Sequence, residues 1–295
     1  MHYPMMENIW LKFMDWFSVM MNLAEDSRIM MMLISCTMAL ALILNVQSGS
    51  TIFRNLINAG VERKLKSMLD NQPSPINIDQ NKVIKRELDF PLKWKHYKDI
   101  PMAVLLENNG TTVILRIFGS PNFLPVLSGG DLLGKYQFVE AIFKWGVLES
   151  EHSIGGGLAS LEMQALHRCP KQKGPWEYLT ISYLFKLSEV KNERIKLVTD
   201  HLKCIQQTGS SIELPPYRLS SLLRPFSGSY YTYPGTYDNG DVILPTTWII
   251  DPQVSHIKAD QLAPFKFLCG KDGSRIFTNS RNKQPQGNRV VQFCY

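Results

Sequence analysis

The chain is poor in the residues that assemble local chemical sites. It has six histidines in 295 residues: His2, His96, His152, His167, His201 and His256. None stands near another, so there is no H-x-H pair and no H-E-x-x-H motif to hold a metal ion. Five cysteines without a C-x-x-C pair exclude a local thiolate zinc site and are too few for a disulfide framework. There is no G-x-S-x-G turn, which removes the usual signature of a nucleophilic-serine esterase. Internal repeats and low-complexity tracts are absent. A hydrophobic content of 44% with 20% charged residues excludes a disordered chain. Any catalytic or metal site must therefore be built by the fold from distant positions.

What is present divides into two parts. Ten of the 13 methionines precede residue 47, in a stretch with two basic and four acidic residues. The remainder carries 30 basic and 22 acidic residues. The pI near 9.0 allows a weak attraction to anionic surfaces, and nothing points to nucleic acid. Residues 29–46, IMMMLISCTMALALILNV, hold no charge and are at the short end of what spans a bilayer. Three readings stay open: a retained signal anchor, a cleaved signal peptide, or a buried helix. The first two make the protein membrane-anchored or secreted. Extra Lys and Arg after the segment (Arg54, Arg63, Lys64, Lys66) favour a cytosolic body, and cleavage would favour the opposite side. The expected organisation is an N-terminal extension (1–28), the apolar segment (29–46), a linker with a short helix (47–70) and one domain (71–295).

The domain reads as strands separated by turns. Residues 111–117, 138–146, 160–169, 178–189 and 242–250 have strand patterns rich in β-branched and aromatic residues. Turns are expected at Gly129-Gly130, Gly155-Gly156-Gly157, Pro215-Pro216 and Tyr233-Pro234-Gly235. One amphipathic helix is expected over 190–207, where Ile195, Val198, Leu202 and Ile205 recur at helical spacing.

Several short motifs occur in a fixed order. They are Ser74-Pro75-Ile76-Asn77-Ile78, Asn108-Asn109-Gly110, Leu127-Ser128-Gly129-Gly130 through Tyr136, Phe143-Lys144-Trp145-Gly146, Ser150-Glu151-His152, Glu162 with His167, Tyr233-Pro234-Gly235 with Thr247-Trp248, and Asn279-x-Arg281-x-x-Gln284-Pro285-x-x-Asn288-Arg289. In this order they resemble the α-class carbonic anhydrases over about residues 71–295. The resemblance implies a mostly β (α+β) single domain: a central, twisted, mainly antiparallel sheet of about ten strands with a few peripheral helices, preceded here by an apolar N-terminal helix.

The resemblance also implies zinc chemistry, reversible CO2 hydration by a metal held on three neutral imidazoles. Two ligands would share one strand face at i and i+2, and the third would come from the neighbouring strand. In this sequence those positions are Ile142, Lys144 and Gln164. The position of the zinc-orienting Thr is Asp238, followed by Asn239; the proton-shuttle position is Thr111; the apolar pocket position is Tyr237. Glu151, Glu162 and Asn279 match residues that support the family's centre, and Glu140 is expected on the Lys144 face. Zinc is expected to be absent. His152, His167, Trp145 and Trp248 are expected as structural residues.

A buried ammonium needs a partner. Lys144 is therefore expected to pair with one of Glu140, Glu151, Glu162 or Asp238 in place of a dication, the alternative being that it reaches solvent. The functional expectation is a carbonic anhydrase-related pseudoenzyme that serves as a binding module for an unknown protein partner, membrane-tethered if residues 29–46 are retained. The competing expectation is a carbonic anhydrase with a non-standard metal site.

Overall fold

The computed structural model describes residues 73–147, 149–172 and 176–295. The expected extension, apolar segment and linker, together covering residues 1–70, lie outside the described residues. Among the described residues no helix is long and apolar enough to cross a membrane.

Among the described residues fifteen strands follow in chain order. The first six are β1 (Asn77–Ile78), β2 (Ile84–Arg86), β3 (Leu92–Lys95), β4 (Ala103–Asn108), β5 (Val113–Phe118) and β6 (Val126–Gly129). Then come β7 (Tyr136–Trp145), β8 (Ser153–Ile154), β9 (Leu161–Arg168), β10 (Tyr178–Leu187) and β11 (Ser211–Leu214). The last are β12 (Tyr230–Asp238), β13 (Ile243–Ile250), β14 (Ser255–Ile257) and β15 (Gln292–Cys294). Thirteen form one sheet, with a ten-strand path in the order β11-β4-β5-β7-β9-β10-β13-β12-β15-β2. β14 lies beside β10, and β3 joins through β6 to β7. Most neighbours are antiparallel; β10–β13, β10–β14 and β15–β2 are parallel. The expected sheet of about ten strands is thus the main path of a larger one.

The middle strands β7, β9 and β10 are long and buried almost throughout because both of their faces are covered. Trp145 and Trp248 are fully buried, with indole N–H groups satisfied by Ile276 O at 2.9 Å and Ser74 Oγ at 2.9 Å. A bulge separates Phe138, opposite His167, from Glu140, opposite Leu166. The extra residue, Val139, turns outward and is 38% exposed. The bulge reverses the alternation. Phe138 faces the main core, but beyond it Ala141, Phe143 and Trp145 do so. Glu140, Ile142 and Lys144 are thereby delivered together to the opposite face.

Two expectations need correction. Tyr233-Pro234-Gly235 is not a turn but the centre of β12, paired with Trp248, Thr247 and Thr246. β15 covers β12 only at Tyr230–Thr232, so Pro234 stands where the strand has one neighbour, and an edge tolerates a missing N–H. Gly235 is there for space: a Cβ would lie 2.1 Å from Ser74 Oγ. The helix expected over 190–207 is a short α-helix, α1 (Glu193–Thr199), and a separate 3-10 turn at Leu202–Ile205. Asn192 caps α1 by accepting from Arg194 N and Ile195 N. All four apolar residues of the pattern are fully buried.

Candidate functional site

The antiparallel register of β7 and β9 sets Ile142 opposite Gln164 and Lys144 opposite Glu162. Opposed residues share a face. The three positions that the sequence singled out as ligand positions therefore meet at one place. Ile142, Gln164 and Glu162 are fully buried, and Lys144 is only 2% exposed. The Lys144 side chain does not reach out to solvent.

Two carboxylates anchor this place. Glu151 comes from the loop before β8. It accepts from Arg281 Nε at 2.9 Å, Arg281 Nη2 at 2.8 Å, Arg281 N at 3.2 Å and Gln164 Nε2 at 2.8 Å. Lys144 Nζ lies 3.8 Å from Glu151 Oε1, an ion pair without a direct hydrogen bond. Glu162 accepts from His152 N at 2.7 Å, His152 Nδ1 at 2.7 Å, Gln164 Nε2 at 2.8 Å and Ser182 Oγ at 2.9 Å. The Gln164 amide thus bridges the two carboxylates through its nitrogen. Its Oε1 is buried without a hydrogen-bond partner among the described residues. Two carboxylates face two cations, so the knot is close to charge-neutral.

The electrostatics follow. Burial pushes the Glu151 carboxyl upward, but the charge and hydrogen bonds of Arg281, with Lys144 and Gln164, outweigh it and hold the group at about 2. Burial lowers the Lys144 ammonium below its usual range; Glu151 opposes this and Arg281 adds to it. The dominant cation of the site is therefore Arg281. Its motif was visible in the sequence, but its charge role was not, because 130 residues separate it from Glu151.

Beside the polar knot sits an apolar one. Ile142 and Tyr237 are fully buried with Ile114 and Leu166. The Tyr237 hydroxyl donates to Glu140 Oε1 at 2.8 Å. Burial and then Glu140 push that phenol well above its ordinary range. Glu140 also accepts from Asn239 Nδ2 at 2.8 Å and from Arg116 Nε at 3.0 Å, while Arg116 reaches Glu107 at 2.7 Å. Glu140 shares the Lys144 face as expected, but its hydrogen bonds go to Arg116 on β5, Tyr237 on β12 and Asn239 just beyond β12.

The remaining candidates tie the surrounding loops. Asp238 Oδ1 accepts from Gly240 N at 2.8 Å, and Asn239 Oδ1 accepts from Asp241 N and Val242 N at 3.0 Å each. Gly240 has φ +87, and a Cβ there would lie 2.4 Å from the Thr111 side chain. Thr111 is thus packed under this turn. Asn109 locks both segments: its Oδ1 accepts from Thr111 N and Thr112 N, and its Nδ2 donates to Asn239 O and Asp241 Oδ2. Asn279 accepts from Trp145 N at 2.7 Å and donates to Thr111 O and Phe143 O, stitching the end of β7 to the same loop.

The buried histidines are engaged at both nitrogens. His152 meets Glu162 and, at 2.5 Å, the Tyr233 hydroxyl. His167 meets Ala165 O at 3.0 Å and the Tyr97 hydroxyl, and burial lowers it to about 4. Among the described residues no group of three or more His, Cys, Asp or Glu is placed to hold a metal ion. Cys169, Cys204, Cys269 and Cys294 are free thiols.

Comparison with known proteins agrees with this frame. The family model for eukaryotic-type carbonic anhydrase matches residues 62–295, starting upstream of the expected domain boundary. The chain is 26% identical to human carbonic anhydrase 7 over 239 residues, covering 76% of this chain and 89% of that protein. The mouse carbonic anhydrase 7 gives the same figures. Rabbit carbonic anhydrase 1 is 28% identical over 184 residues, covering 58% of this chain and 78% of that protein.

Proposed function

The chain belongs to the eukaryotic-type carbonic anhydrase family, and from that premise we propose that it is a non-catalytic member, a binding module built on the family's fold. The observation that carries the reading is the identity of the residues at the meeting point of β7 and β9. Zinc in a protein prefers three or four nitrogen or sulfur donors with a regular geometry. Ile142 offers no donor. Lys144, as an ammonium beside Glu151, offers protons and no lone pair. Gln164 turns its nitrogen to Glu151 and Glu162, leaving one amide oxygen. Neither buried histidine has an unused ring nitrogen. These residues do not fit a tetrahedral zinc site.

The rest of the region supports the same reading. Ile142 and Tyr237 fill space beside the knot, and Asn239 and Arg116 fasten Glu140 over it. The proton-transfer position is Thr111, whose hydroxyl does not titrate near neutrality. The retained Glu151, Glu162 and Asn279 act as scaffold, each saturated with protein hydrogen bonds. On this reading the useful surface is outside the old centre, toward a protein partner. Residues 29–46 tether the chain to a membrane if they are retained, and a cleaved segment makes it secreted.

The test is stopped-flow CO2 hydration by the full chain, with and without added zinc and with a chelator. The expected result is the uncatalysed rate under all three conditions. Chelator-sensitive hydration would return the chain to the enzymatic side of its family.

A further inference from the structure

We propose that a shallow groove between the β3–β4 connection and the β5–β6 connection is a contact surface for an anionic phospholipid bilayer. This goes beyond the non-catalytic reading and does not depend on it. The groove has a cavity of about 180 Å³ lined by segments 96–102 and 117–125 and by Leu219. Its mouth carries Ile100 at 63%, Met102 at 77% and Phe123 at 63% exposure. Large apolar side chains exposed this far and this close together mark an interaction surface.

Charge selects the partner. The exposed charges within two residues of the groove's lining are Lys95, Lys98 and Arg218, against one acid, Asp99. Asp99 is occupied by His96 Nδ1 at 2.6 Å. A few apolar tips beside exposed cations suit insertion at the headgroup level, with lysines meeting lipid phosphates. The same tips suit a protein interface less well. A specific protein interface draws on about 20–30 residues a side, and this mouth offers three apolar tips. The chain also carries the apolar run 29–46, so a second, weaker membrane contact on the same chain has a use.

Hydrogen exchange of the full chain provides the test, with vesicles of phosphatidylcholine alone or mixed with phosphatidylserine. The readout is local, so attachment through residues 29–46 does not mask it. The expected result is slowed exchange over 96–102 and 117–125 with phosphatidylserine vesicles only, reversed by high salt. Lys95→Glu and Lys98→Glu should each weaken the effect roughly fivefold. Met102→Glu and Phe123→Ser should abolish it while leaving exchange in β7 unchanged, which controls for folding. The proposal is overturned by no slowing, by equal slowing with phosphatidylcholine alone, or by slowing without vesicles that grows with chain concentration, which would indicate a second copy.

Discussion

Arg281→Met is the sharpest perturbation of the buried knot. Arg281 gives Glu151 two charged side-chain hydrogen bonds, at 2.8 and 2.9 Å, and a backbone bond at 3.2 Å. Without the guanidinium, Glu151 keeps the Gln164 amide and an ammonium 3.8 Å away. Leaving a buried carboxylate under-paired costs about 3–5 kcal/mol. For a domain of this size that is a fall of roughly 10 °C in melting temperature. Lys144→Met should behave differently. It removes no direct hydrogen bond to Glu151 and relieves the desolvation of the ammonium, so its cost should be about 1 kcal/mol. Urea unfolding followed by tryptophan fluorescence measures both variants. Adding Glu151→Gln to Arg281→Met should recover part of the loss, because the unpaired charge is removed. The pH dependence gives an independent check. Glu151 is depressed from 4.5 to about 2, so its contribution is present above 4.5 and is lost as pH falls through 2. That contribution is about 3 kcal/mol, and Arg281→Met should flatten the acid limb by this amount. The reasoning fails if Arg281→Met is nearly neutral, or if Lys144→Met is the more damaging of the two.

Other consequences are open to measurement. His167 is depressed from 6.5 to about 4, so stability should fall by about 3 kcal/mol as pH drops between those values, and His167→Gln should remove that slope in urea titrations. Gly235→Ala should cost about 1–3 kcal/mol in the same assay, since its Cβ would meet Ser74 Oγ and Trp248; full native stability would mean the contact relaxes freely. Asn109-Gly110-Thr111 has the N-x-T pattern of a glycosylation acceptor, and it should stay unmodified in folded chain made by a secreting cell, because both Asn109 amide protons are in use. Mass spectrometry before and after enzymatic deglycosylation reads this, and a folded, fully glycosylated product would contradict it.

The strands that sequence made legible were those whose residues alternate or run apolar, β5, β7, β9, β10 and β13. Their existence depends on local pattern. What pattern hid was long-range. Tyr233-Pro234-Gly235 carries turn-forming residues, yet it is extended because β13 pairs with it, and the glycine leaves room for Ser74, distant in sequence. The run at 190–207 spaces its apolar residues by three and four, which suits an α-helix and equally an α-helix followed by a 3-10 turn. At the site, strand alternation put Ile142 and Lys144 on one face, the family resemblance implied Gln164 beside them, and the β7–β9 register brings the three together. The bulge at Val139, which turns Tyr136 and Phe138 to the face opposite Glu140, leaves no mark in composition. The partners of the charges were least legible. Arg281 and Arg116 reach Glu151 and Glu140 across the sheet, and such pairing belongs to the topology and not to any local stretch of residues.

On the proposed reading the β7–β9 meeting point is a protein-made charge knot and not a metal centre. Native mass spectrometry of the full chain, incubated with zinc and then desalted, tests it most directly. The variant Ile142→His/Lys144→His/Gln164→His, handled in parallel, provides the comparison. The expected result is no retained zinc on the native chain. One zinc ion retained by each native chain, and removed by a chelator, would contradict the account.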